Sequence, residues 1–314
     1  MAQPFNPAPA TFFNLSSRVK LRVNGGDAFR YLNGQISNDL RKATSESAIQ
    51  ASVLTAKGKL NAVIFVSEDA GSFVLDSDPE VREELPARLE RYVVADDVQS
   101  EDVTNRFGIF HVIGEVPLPT FSAPVRSVLA NRFRTLGRDI WCERAECDRI
   151  SGELSRIAQF CDEEDAERMR IEHGIPRWGR ELTIDIIPPE ANLETTAIDY
   201  AKGCYIGQEV ISRMKTSGQT NKHLFGLISL SGSSLQPGMH LTTDGGEQRE
   251  AGWITSAVRS QQLDQEIALG YVKRGFGDAG SRLRTFVPDD PAAVAVPVEV
   301  VALPFIHEST NGKS

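Results

Sequence analysis

The stretch Lys202-Gly203-Cys204-Tyr205-Ile206-Gly207-Gln208-Glu209 sets two glycines around a single cysteine and an aromatic ring, with a carboxylate directly after. Glycine permits backbone conformations that a Cβ forbids, or lets another group come close to the main chain. Lys202 stands two residues before Cys204, and a neighbouring cation favours thiolate over thiol. Downstream, Val210 and Ile211 are apolar and Arg213 and Lys215 basic, so the loop runs into a helix or a strand. A helix beginning near Gln208 would aim its amide end toward the cysteine and lower its pKa further. A tight turn around a buried cysteine is the plainer alternative for such residues.

On the C-terminal side, Leu224 to Ile228 predicts a strand. Glycine-punctuated segments follow: Pro237-Gly238, Asp244-Gly245-Gly246, Gly252-Trp253-Ile254-Thr255-Ser256, Ile267 to Val272, and Pro297 to Leu303. Short strands at this spacing predict a small barrel or sandwich. On the N-terminal side, Glu163 to His173 predicts a charged helix closed by Gly174 and Pro176, with His173 as a C-terminal cap. Arg18 to Val23 alternates like a half-buried strand, and Asn24-Gly25-Gly26-Asp27 makes a turn. Asp27 is a candidate N-cap for a helix carrying Phe29, Leu32 and Ile36. Two strands, 48–54 and 60–66, flank the hairpin Ala56-Lys57-Gly58-Lys59, and 72–75 adds a third. Asp78 and Pro79 start a helix with Leu85, Leu89 and Tyr92 on one face, which Pro86 should kink or restart. With further strands at 108–113 and 140–143, this order predicts α+β layers. Residues 1–10 form a Pro/Ala-rich arm.

The chain has 314 residues, 40% hydrophobic and 25% charged, which predicts an ordinary globular protein of two or three domains. A net charge of −9 argues against a broad nucleic-acid-binding surface. Four cysteines, Cys142, Cys147, Cys161 and Cys204, form no C-x-x-C pair and no zinc-type spacing with histidine, as expected of free thiols in a reducing compartment. Residues 1–17 carry no basic group, unlike a signal or transit peptide, and no apolar run is long enough for a membrane span. A cytoplasmic protein is expected.

The octapeptide resembles the K-G-C-Y/F-x-G-Q-E motif of the YgfZ family, folate-binding relatives of the glycine-cleavage T-protein (aminomethyltransferase). Other segments resemble the same group. Leu32-Asn33-Gly34-Gln35-Ile36-Ser37-Asn38-Asp39 is similar to F-L-x-G-Q-x-T-x-D, and Met169 to Pro176 is similar to L-R-x-E-x-G-x-P. Pro188 to Glu194 resembles the P-x-E stretch, and Gly252 to Ser256 with Ile267 to Val272 resembles the C-terminal barrel. The resemblance implies an α+β, three-lobed ring. Residues 1–45 and 150–220 would form a discontinuous first lobe, 46–149 the second, and 221–314 a small β-barrel. It implies a reduced folate, tetrahydrofolate, with Glu172 on the pterin and Lys202, Tyr205 and Arg213 beside it. A carboxylate suits that role because it accepts two parallel N–H bonds. Cys204 would be the functional thiol, and Cys142, Cys147 and Cys161 structural.

The family pattern breaks at one place. T-proteins carry a G-x-I/V/M-D-D run, whereas this chain reads Gly58-Lys59-Leu60-Asn61-Ala62. Without the paired acids, glycine-cleavage activity is not expected. The resemblance then implies support of iron–sulfur enzymes, including tRNA-modifying ones, with assembly factors or client enzymes as partners and neither membrane nor direct nucleic-acid contact. The rival reading is a tetrahydrofolate-dependent aminomethyl- or methyltransferase using another acid, such as Glu172.

Overall fold

The computed structural model describes residues 10–114, 116–218, 220–244, 249–288, 290 and 294–306. The turn glycines Gly245 and Gly246, and nearly all of the N-terminal arm, lie outside them. Two compact units are found: Met1–Ala51 with Ala62–Ala166, and Ser52–Asn61 with Glu167–Ser314.

The first unit runs β1 (Thr11–Asn14), β2 (Val19–Asn24), α1 (Ala28–Gln35), β3 (Ile49–Leu54), β4 (Leu60–Asp69), β5 (Ser72–Ser77), α2 (Glu84–Glu90) and β6 (Gln99–Asp102). It continues through β7 (Phe107–Ile113), β8 (Val125–Asn131), β9 (Leu136–Glu143), α3 (Cys147–Leu154) and β10 (Gln159–Cys161). The strands form two five-stranded sheets, ordered β3-β4-β5-β2-β6 and β10-β1-β7-β9-β8. The tip of the β3–β4 hairpin groups with the second unit. The N-terminal strands sit inside these sheets: β1 pairs with β7, and β2 with β5. Residues 11–24 therefore share sheets with 72–113, which the expected division placed in another lobe.

Local chemistry explains the departures from the expected elements. In α1 the buried stripe is Ala28, Tyr31, Leu32 and Gln35, and Phe29 is 44% exposed. Asp27 occupies the N-cap position without a side-chain cap bond; its Oδ2 accepts from the Asp97 N–H instead. Pro79 opens a single 3₁₀ turn, and α2 restarts at Glu84 with Pro86 in its first turn, where a missing N–H leaves no bond unmade. Tyr92 falls beyond that helix.

Each sheet brings charge inside the first unit. Arg132 forks onto Asp76 of β5 (3.0 and 2.6 Å) and onto Asp139 of β9 (2.8 and 2.7 Å). Arg18 also binds Asp76, and His111 Nδ1 lies 2.8 Å from Asp139. Burial pushes the Asp139 carboxyl up, but Arg132 and His111 more than reverse it and hold it far below the usual range. Burial dominates at His111 and lowers its pKa.

The second unit begins within α4 (Glu163–Glu172), which ends at Gly174 in the left-handed region, φ +64°. After α5 (Glu194–Ala197) and α6 (Gln208–Ser217) come β11 (Lys222–Ser229), β12 (His240–Thr243), β13 (Glu250–Ser260), β14 (Gln265–Lys273), β15 (Arg282–Phe286) and β16 (Pro297–Val301). These six close into a barrel, β11-β14-β13-β12-β15-β16, which leaves no open edge. Its core includes Leu227, Leu241, Ile254, Ala268, Val298 and Val300. The class is thus α+β with a C-terminal β-barrel.

Candidate functional site

α6 starts at Gln208, directly after Gly207 at φ +87°. A Cβ on Gly207 would stand 2.7 Å from the Thr55 carbonyl oxygen and 3.3 Å from the Gly58 Cα. Gly58 (φ +73°) is equally tight, since a Cβ there would meet Val210 at 2.9 Å. The hairpin turn therefore packs, glycine against glycine, on the start of α6. Two bonds brace the turn: Thr55 N–H donates to the Lys59 carbonyl at 2.8 Å, and Leu60 N–H to the Ile186 carbonyl at 2.8 Å. Gly203 differs from Gly207: open space surrounds it, and neither contact nor backbone angle demands glycine there.

Within the octapeptide, burial alternates sharply. Lys202 is 5% and Tyr205 8% exposed, whereas Gly203 and Cys204 between them are exposed. The Lys202 ammonium sits 5.3 Å from the centroid of the Tyr205 ring, a cation–π contact. Burial pushes the Tyr205 phenol up to about 12, so it stays protonated near neutrality. Two buried anchors and a glycine lock thus hold a short exposed loop with Cys204 on it. Arg213 lies on the outer face of α6, 74% exposed, paired with Glu209 at 2.7 Å.

The acidic residues of this unit are held in different ways. Glu181, which sequence reasoning missed, is 1% exposed and takes four donors. Arg170 Nη1 and the Arg177 N–H reach Oε2 at 3.0 Å each; Thr255 and Ser256 reach Oε1 at 2.8 and 2.6 Å. Successive strand residues ordinarily face opposite ways, but β13 carries a bulge between Ile254 and Ser256, and both hydroxyls meet one carboxylate. The Thr-Ser pair of the barrel motif was the available signal. Arg170 also binds Glu167 and does not pair with Glu172. Glu172, at the end of α4 and 8% exposed, accepts on Oε1 from Ser260. Among the described residues its Oε2 has no hydrogen-bond donor. Glu190 meets Lys222 at 3.3 Å. Asn61 Oδ1 is buried with no hydrogen-bond partner.

These oxygens bear on a folate. A pterin presents N–H donors, and the buried Asn61 Oδ1 and the open Oε2 of Glu172 are acceptors that lack one. In acceptor type, the residues present fit such a ligand. Among the described residues, no group of three or more His, Cys, Asp or Glu is placed to hold a metal ion.

Residues 222–307 match the family model of the glycine-cleavage T-protein C-terminal barrel domain. The chain is 26% identical to the tRNA-modifying protein YgfZ of Escherichia coli O157:H7 over 92% of each chain. It is also 26% identical to the protein of that name from Shigella dysenteriae serotype 1, over 80% of this chain and 82% of that one. Its fold superposes on the glycine cleavage system aminomethyltransferase T of Bartonella henselae with a TM-score of 0.81 and 16% identity, covering 96% of this chain and 87% of the other. Over nearly its whole length the chain is similar to YgfZ proteins, and its fold is that of the glycine-cleavage T-protein.

Proposed function

We propose that this protein binds reduced folate and supports the assembly or repair of iron–sulfur enzymes, tRNA-modifying ones among them, through Cys204. The observation that carries the reading is the exposed Cys204, held out by the buried Lys202 and Tyr205 and by the Gly58–Gly207 contact. A thiol in that position is open to a partner protein, as a packed core cysteine is not. A single thiolate cannot complete the four-thiolate shell of a cluster, so the client or an assembly factor supplies the other ligands. Tetrahydrofolate would be held by the Glu172 carboxylate and the Asn61 amide oxygen, with Lys202, Tyr205 and Arg213 lining or flanking its site. When bound, the folate supplies a carrier for one-carbon units. The chain's own residues hold and orient it.

The aminomethyltransferase alternative rests on the fold alone. Where T-proteins place two acids, Asn61 and Ala62 offer no charge to stabilise a cationic folate amine. Among the described residues, no helix is long and apolar enough to cross a membrane.

The test is genetic. In a strain lacking the gene, the wild-type chain restores iron–sulfur enzyme activity and tRNA methylthiolation, and Cys204→Ser does not. Full complementation by the serine variant overturns the role of the thiol. Ammonia release from an aminomethyl-loaded lipoyl carrier with tetrahydrofolate would establish the alternative instead.

A further inference from the structure

Two other thiols lie against each other in the first unit. Cys142 Sγ and Cys147 Sγ are 3.8 Å apart. A disulfide is about 2.0 Å long, so closure asks each sulfur to move by roughly 0.9 Å. Cys142, near the end of β9, is 2% exposed in a core with Phe12, Phe110, Ile140 and Ile150. Cys147 opens α3 and is half-buried. The space the sulfurs share exists because residue 108 is glycine: a Cβ there would come within 2.2 Å of Cys147 Sγ and 3.7 Å of Cys142 Sγ.

We propose that Cys142 and Cys147 form a redox-sensitive dithiol, which hydroperoxides convert to an intramolecular disulfide. The more accessible Cys147 reacts first. Its sulfur takes one oxygen from the peroxide, giving Cys147 sulfenic acid and releasing an alcohol or, from hydrogen peroxide, water. Cys142 sulfur then attacks Cys147 sulfur; the S–O bond breaks, and hydroxide leaves with the Cys142 proton as water. Burial, and next the neighbouring Cys147, push the Cys142 pKa up to about 12, which keeps it a protonated reserve until the sulfenic acid forms beside it. A cellular dithiol reverses the bridge by exchange. The pair is distinct from Cys204, which belongs to the second unit, so the inference stands apart from the proposed function.

The native full-length chain treated with hydrogen peroxide, blocked with iodoacetamide and digested with trypsin without reduction reports the bond directly. Cleavage after Arg138, Arg144 and Arg149 separates the two cysteines into peptides 139–144 and 145–149. The expected result is one species containing both, lighter by two hydrogens than their sum and split by reductant. The same treatment in urea should lose this selectivity. In Cys142→Ala, Cys147 sulfenic acid should accumulate and be trapped by dimedone, which the wild type resists. Separate alkylated peptides from the wild type, Cys147 sulfinic acid in place of the bridge, or linkage to the Cys161 or Cys204 peptide would overturn the proposal.

Discussion

Both units bury carboxylates, and they finish them differently. In the first, every oxygen of Asp76 and Asp139 receives a guanidinium or imidazole nitrogen from Arg18, Arg132 or His111. In the second, Glu181 is closed in the same way, but Glu172 takes only Ser260 and Asn61 Oδ1 takes no donor. A polar cluster whose members satisfy one another specifies structure. A buried oxygen left open, as at Asn61, costs free energy until something donates to it, and such an atom is a candidate ligand contact. Burial alone does not separate the two kinds of carboxylate; the number of donors each receives does, although His111 Nε2 in the first cluster is itself buried with no hydrogen-bond partner.

The closed cluster should give the largest effect. Arg132→Ala leaves two buried carboxylates without their principal cation and should cost the first unit about 3–5 kcal/mol, read as a fall in the urea midpoint. A loss under about 1 kcal/mol would show the cluster to be wetter than its burial implies. Acid attacks the same cluster. The lowered pKa of His111 means that the unfolded chain binds its proton first, near pH 6.5, so stability is full above that value. It should fall as pH drops below it, with a slope approaching about 1.4 kcal/mol per unit. Asp139, depressed in the fold, adds its own loss as pH falls below about 4 and through the folded value. Urea midpoints measured from neutral pH down to about pH 2 check both, the His111 loss above about pH 4 and the Asp139 loss below it, and His111→Gln should flatten the upper part of the curve.

Next in size is the open pair. Glu172→Ala should weaken tetrahydrofolate binding by tenfold or more, about 1.5–3 kcal/mol, in a calorimetric titration. Unchanged affinity would move the ligand elsewhere and break the contrast between open and closed acids.

How much of this was legible follows the range of the interactions. The start of α6 at Gln208, the hairpin at Lys57-Gly58, α4 with its Gly174 stop and the barrel strands β11, β13, β14 and β16 are set by residues close in sequence, and the expected elements correspond to those found. The barrel strands β12 and β15 were not expected as strands. β1 and β8 carried no such local signal; β1 is a four-residue strand fixed by neighbours nearly 100 residues away. The Glu181 site joins side chains 74 and 75 residues apart through a bulge, which no spacing rule reveals. The Cys142–Cys147 contact depends on Gly108 in another strand. Asn61 was noticed for the acid it replaces; that its oxygen is buried without a donor emerges only from the packing around it.

The octapeptide repeats the contrast at smaller scale, since Gly207 is confined and Cys204 is open. Gly207→Ala must hold an L side chain at φ +87° against the Thr55 carbonyl, so a loss of ~1–3 kcal/mol is expected in thermal or urea unfolding. A neutral result would mean that the hairpin turn yields, and the lock on the loop would be weaker than its contacts suggest.

Cys204→Ser should have the smallest effect on the fold. The side chain is exposed, no cavity is left behind, and exchanging sulfur for oxygen at such a position belongs with surface changes of about 0.5 kcal/mol or less. The loop keeps its anchors, because Lys202 and Tyr205 are buried and contact each other. Near-identical unfolding curves for wild type and variant, together with failed complementation, would assign the loss to chemistry at the sulfur. A serine variant that unfolds markedly earlier would show instead that the thiol is packed into the loop, and the contrast between a fixed Gly207 and a free Cys204 would fail.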